Sequence, residues 1–99
     1  MLVYVTFKNQ EEADKICDVL LNKKLIACAN IFPINSKYIW KGKMINDSEY
    51  LGFLKTNKKN YKKVESEIKK IHSYKIPCIL RINSKANVEY DNWCKEVLR

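Results

Sequence analysis

Two extended runs flank the dipeptide Lys41-Gly42, and their length constrains what this chain can become more than any other feature. Ahead of the dipeptide, "LIACANIFPINSKYIW" begins as a nearly continuous apolar stretch and passes into alternation, the two-residue period of a strand. Behind it, "KMI" and then "SEYLGFLKT" run back. Glycine tolerates positive φ, so Lys41-Gly42 supplies a tight turn and the second run returns antiparallel to the first. Pro33 lacks the N–H that a central ladder requires, and the first strand is expected to bend there.

The remaining strand candidates, "LVYVTF" near the start and "IPCILRI" after Lys75, are too short to match a pair reaching from about Leu25 to Thr56. Part of the hairpin must therefore project and leave unpaired edges, which a soluble protein has to pair or shield. Pairing with identical neighbours in a closed ring is an economical solution.

Between the strands the period changes. Ala13, Ile16, Cys17, Leu20 and Leu21 share one face of a helix, with Glu11 and Glu12 near its positive N-terminal end. Over residues 58 to 71, Tyr61, Val64, Ile68 and Ile71 recur at spacings of three and four, with lysines opposite. "VEYDNWCKEVL" closes the chain as a short helix presenting Val88, Trp93, Cys94, Val97 and Leu98. The order β, α, β, β, α, β and a terminal helix gives an α+β, ferredoxin-like split βαβ arrangement. Both main helices then cover one sheet face, and the other must be covered by ligand, nucleic acid or another subunit.

Ninety-nine residues, 46% of them hydrophobic, suit a single domain over 1–99. No apolar run approaches the roughly 20 residues of a membrane-spanning helix, and the N-terminus lacks a targeting pattern, so a cytoplasmic protein is expected. Cys17, Cys28, Cys78 and Cys94 are too widely spaced for a CxxC pattern and read as reduced thiols among apolar neighbours. The net charge of +8 predicts attraction to polyanions or anionic ligands, yet the lysines at 55, 58, 59, 62, 63, 69, 70 and 75 read first as a solvated helix face.

Three occupants of the open face follow. RNA-recognition motifs share this strand order, but "YLGFLKTN" has Gly52-Phe53 without the leading basic residue or later aromatics of their consensus, which makes nucleic acid unlikely. A regulatory small-molecule domain would have to hold its ligand without a glycine-rich phosphate loop. Self-association through the long hairpin is the third.

The blocks "KKLIACANIFPI", "YIWKGKMINDSEYLGFLKT", "IHSYKIPCILRI" and "YDNWCKEV", in that order and across nearly the whole chain, resemble the CutA family of divalent-cation tolerance proteins. The resemblance implies a ferredoxin-like subunit, a homotrimer resembling the PII signalling proteins, and binding of copper or other divalent cations. Family members usually read H-P-Y-E-x-P-E where this chain has Ser73, Lys75 and Cys78 in place of the proline and both acids. Val5 and Ile71 likewise replace a cysteine and a second histidine found in some members.

Copper or zinc is held by imidazole, thiolate or carboxylate donors, which nominates His72 and Cys78 for a metal. With Pro77 directing the chain into a strand, Cys78 is expected to point into the core. By the two-residue period, Tyr38 and Trp40 share one side of their strand, and Glu49 and Lys55 share one face of theirs. The resemblance places such residues near clefts between subunits, where Tyr38, Trp40, Glu49, Lys55, His72 and Tyr74 could hold a small anionic or metal-bound ligand. The competing reading packs Trp40 and Tyr38 into the trimer interface and pairs Glu49 with a lysine. No nucleophile elbow or paired-carboxylate motif is present, and the one histidine lacks an evident Cys or Ser partner, so the sequence reads as a non-enzyme.

Overall fold

A computed structural model describes residues 1–99. The elements run β1 (Leu2–Phe7), α1 (Gln10–Asn22), β2 (Cys28–Trp40), β3 (Lys43–Lys55), α2 (Tyr61–Ile71), β4 (Ile79–Ile82) and α3 (Val88–Val97). The four strands form one antiparallel sheet in the order β2-β3-β1-β4, as the α+β ferredoxin-like reading requires.

The hairpin sets the shape. Its register, from Cys28↔Lys55 to Trp40↔Lys43, follows from a two-residue turn in which Lys41 (φ 50°) and Gly42 (φ 78°) both lie in the left-handed region. That is the turn whose twist matches a strand pair. Strand β1 covers β3 only from Tyr50 to Lys55, so residues 43 to 49 pair with β2 alone. Seven residues at about 3.3 Å each carry this two-stranded arm over 20 Å beyond the sheet. The molecule is accordingly long, 45 × 25 × 20 Å.

Pro33 does not interrupt β2, which runs as the one long strand expected. It pairs with Tyr50 inside an unbroken strand, and it is tolerated because β2 is an edge whose outward side needs no N–H. Strand β2 also begins later than the apolar run implies. Leu25 and Ile26 leave the ladder and enter the core, held by the Thr56 hydroxyl donating to the Leu25 carbonyl at 2.6 Å.

Val3, Val5, Phe7 and Leu54 face the helices and meet Ala13, Ile16, Cys17 and Leu20 of α1 and Tyr61, Val64 and Ile68 of α2. Each fully buried aliphatic side chain in this layer contributes about 2 kcal/mol. Leu21, expected on the inner face, is exposed, and Glu12 is buried in its place at the other end of α1. Helix α2 starts at Tyr61 instead of residue 58, because Asn57 accepts the Asn60 N–H and holds 58 to 60 in a turn.

Gly52 faces Phe7 across the sheet. A Cβ there would stand 3.1 Å from the Phe7 ring, so the glycine makes room for that ring, which stacks on His72 with centroids 5.6 Å apart.

Candidate functional site

The sheet narrows from four strands to two just beyond Phe7, and a cleft of about 630 Å³ opens there. It is lined by Tyr38 and Trp40 from β2, Glu49 from β3, and Tyr74, Lys75 and Cys78 from the loop before β4, with Lys37 beside them.

Glu49 is its buried acid, 7% exposed. The Tyr74 hydroxyl donates to Glu49 Oε2 at 2.5 Å, which leaves Oε1 without a partner in the protomer. Burial pushes the Tyr74 hydroxyl well above its ordinary pKa of 10.0, and its bond to the Glu49 carboxylate adds to the shift. A second phenol–carboxylate pair lies alongside: Tyr38 Oη donates to Asp47 Oδ2 at 2.6 Å, and that bond raises the Tyr38 pKa. Because Tyr38 pairs with Ile45, Asp47 is its diagonal neighbour on the same face.

His72 stands behind this layer with its side chain fully buried. Nδ1 accepts the Tyr74 backbone N–H at 3.0 Å, and Nε2 lies 2.8 Å from the Thr6 carbonyl. An acceptor at Nδ1 and a carbonyl partner at Nε2 fix the neutral Nε2–H tautomer. Neither nitrogen then has a lone pair for a metal. In this arrangement the ring holds the Tyr74 backbone through Nδ1 and meets the Thr6 carbonyl through Nε2.

Glu12, placed by the sequence only near the N-terminal end of α1, extends the same support. Its amide N–H is accepted by the Asn9 side chain at 2.9 Å, and its carboxylate accepts the N–H groups of Lys8 at 3.1 Å and Ser73 at 2.8 Å. Burial raises this carboxyl, but the Ser73 side chain and those two N–H donors outweigh it and hold the pKa below 4.5. The Asn9-x-x-Glu12 spacing, a form of the capping box, was the available signal.

Two other nominated residues differ in placement. Cys78 lines the cleft, half-buried, instead of pointing into the core, and burial with the nearby Glu49 charge raises its pKa. Lys55 is six residues along β3 from Glu49, about 20 Å away. Its Nζ stands 5.0 Å above the Tyr90 ring, and it does not line the cleft of its own protomer. No group of three His, Cys, Asp or Glu side chains converges anywhere in the protomer.

The family model described as CutA1 divalent ion tolerance protein matches residues 1–97. The chain belongs to the CutA1 family. It is 41% identical to the divalent-cation tolerance protein CutA of Thermotoga maritima, over 97% of this chain and 96% of that one. A solved structure of Archaeoglobus fulgidus CutA, described as a periplasmic divalent cation tolerance protein, superposes with a TM-score of 0.96 at 38% identity, over 99% and 97% of the two chains. The PII-like protein CutA of Nostoc sp. PCC 7120 shares the fold, with a TM-score of 0.92 at 22% identity over 99% and 96% of the chains. The CutA assignment made from the ordered sequence blocks is thus upheld along the chain. No helix is long and apolar enough to cross a membrane.

Proposed function

We propose that this CutA-family chain, as one domain over 1–99, assembles into a closed homotrimer and holds a divalent cation in the cleft around Glu49, acting by binding and not by catalysis. The observation that carries the reading is the apolar open face of the sheet. Phe32, Leu80 and Ile82 are 40%, 50% and 37% exposed there, beside Tyr4 and Phe53. The accessible surface is 6762 Å², against about 5,900 Å² for a typical monomer of 11.7 kDa. The excess is close to the roughly 800 Å² that each partner contributes to an ordinary interface.

For the cation, the free oxygen of Glu49 offers a hard donor in the cleft, with Asp47 two residues away on the same strand face, and hydrated cations of the magnesium or manganese kind are held by one or two carboxylates. Copper prefers nitrogen or sulfur donors. With His72 engaged on both nitrogens and carboxylate oxygen the available donor, the cleft fits a hard cation better than copper. The same engagement deprives the protein of a His general base, which supports the non-enzyme reading. A cytoplasmic location rests on the four unpaired thiols.

One observation favours a second reading, a PII-like trimer binding a small anion in the same cleft. Lys37 and Lys75 line the cleft and neither forms an ion pair. Nucleic acid is disfavoured by placement, since the lysines of α2 lie on the helical side and the aromatics on the opposite face. Calorimetric titration of the assembled protein with manganese, and separately with inorganic phosphate, tests both readings. Manganese binding that is lost in Glu49→Gln supports the cation; phosphate binding that is lost in Lys37→Gln supports the anion and displaces the first reading.

A further inference from the structure

The end of the open face remote from the cleft carries a second cluster of reactive groups. Cys28 and Lys55 sit opposite each other across β2 and β3. Helix α3 lies over this end: the Lys55 ammonium stands above Tyr90, and the Arg99 N–H donates to the Lys24 carbonyl at 2.8 Å, just before β2 begins. The Tyr90 hydroxyl is within interaction range of both the Lys55 ammonium and the Cys28 thiol. Cys94 follows Tyr90 by four residues, one helical turn on the same face of α3. The ladder pairing of Cys28 with Lys55, the Lys55–Tyr90 contact and this helical spacing together direct Cys94 toward the Cys28 end of β2.

Little else fastens this helix. None of its residues is buried, and Val88 and Trp93 are largely exposed. Both thiols are half-buried and unpaired. Cys17 is different: burial, with Asp14 and Asp18 adding to it, pushes its thiol up to about 12 within the core. Cys78 belongs to the cleft at the far end of the sheet.

We propose that Cys28 and Cys94 form a reversible dithiol–disulfide pair that ties the C-terminal helix to the edge strand, with a low-molecular-weight disulfide as oxidant. One protein thiolate attacks the oxidant and expels one small thiolate, leaving a mixed disulfide. The second protein thiolate then attacks the protein sulfur of that mixed disulfide and expels the other small thiolate. One protein S–S bond forms, the oxidant's S–S bond breaks, two electrons pass to the oxidant, and the two thiol protons leave with its products. Excess small thiol reverses the exchange. Burial and Asp91 raise the Cys94 pKa while Lys55 opposes them, so the exchange accelerates as pH rises and more thiolate forms.

The test is to equilibrate the full-length assembled protein with glutathione disulfide and glutathione at graded ratios, quench with an alkylating agent, unfold and alkylate again, and map the peptides by mass. The expected result is one crosslinked species joining the Cys28 and Cys94 peptides, with Cys17 and Cys78 alkylated. It migrates as a single chain on a non-reducing gel, is reversed by excess glutathione and is abolished in Cys94→Ser. Four alkylatable thiols at every ratio, glutathione retained on one cysteine without ring closure, or a crosslink joining two chains would each overturn the proposal. Thermal unfolding in reductant, expected to match for wild type and Cys94→Ser, shows that the substitution does not act by unfolding the protein.

Discussion

The His72 ring accepts the Tyr74 backbone N–H at 3.0 Å on one nitrogen and reaches the Thr6 carbonyl at 2.8 Å with the other. This locks the loop after α2 onto the end of β1, and it aims the Tyr74 hydroxyl at Glu49. The only histidine of the chain thus serves the cleft from behind. Replacing it with alanine leaves both backbone groups unpaired and removes the ring stacked on Phe7. His72→Ala should lower unfolding free energy by about 3 kcal/mol, measured by urea denaturation. An unchanged midpoint would show that the ring is not a structural clamp.

Glu12 gives the fold an acid-sensitive joint. Its folded pKa lies below the ordinary 4.5, so the unfolded chain binds more protons as pH falls. Its contribution is therefore fully present above about pH 4.5 and is lost as pH drops through the folded pKa. Glu12→Gln should reduce stability at neutral pH by about 2 kcal/mol and flatten the acid limb of the stability–pH curve. An acid limb identical to wild type would assign the acid sensitivity to other carboxylates.

Lys41 occupies the left-handed region at φ 50°, where a side chain with a Cβ is disfavoured and Asn is better tolerated. Lys41→Asn should stabilise the hairpin by about 0.5 kcal/mol, read as a higher thermal midpoint. A lower midpoint would mean that the lysine side chain makes contacts in the assembly that outweigh the backbone preference.

Leu80 stands 50% exposed on the open face and takes no part in the core. A charge there costs little in the isolated protomer but would be buried in the proposed trimer. Leu80→Lys should yield a folded protein of monomer mass in sedimentation, with circular dichroism unchanged. Persistence of a trimer would move the interface off this face.

The strand and helix order was legible because apolar periodicity switches cleanly at Glu11 and between Thr56 and Tyr61, and because Lys41-Gly42 fixes the hairpin register. The two-residue period put Tyr38 and Trp40 on one side of their strand, and the register shows that side to be the open face. It would have shown Asp47 as the diagonal neighbour of Tyr38, a step the two-residue period supports. Lys55 was misplaced because a shared face says nothing about position along a strand, and six residues separate it from Glu49. His72 could not be resolved from sequence: its role depends on carbonyl and N–H partners supplied by Thr6 and Tyr74, and backbone groups leave no mark in the residue pattern. Glu12 was hidden for the related reason that a helix-capping acid reads as exposed until the loop at Ser73 packs over it.

The most direct test of the account is native mass spectrometry of the purified chain with limiting manganese, wild type beside Glu49→Gln. A trimer is expected in both, with bound cation in a fixed ratio to subunits in the wild type and little in the variant. A monomer, or a trimer that keeps its cation without the Glu49 carboxylate, would contradict it.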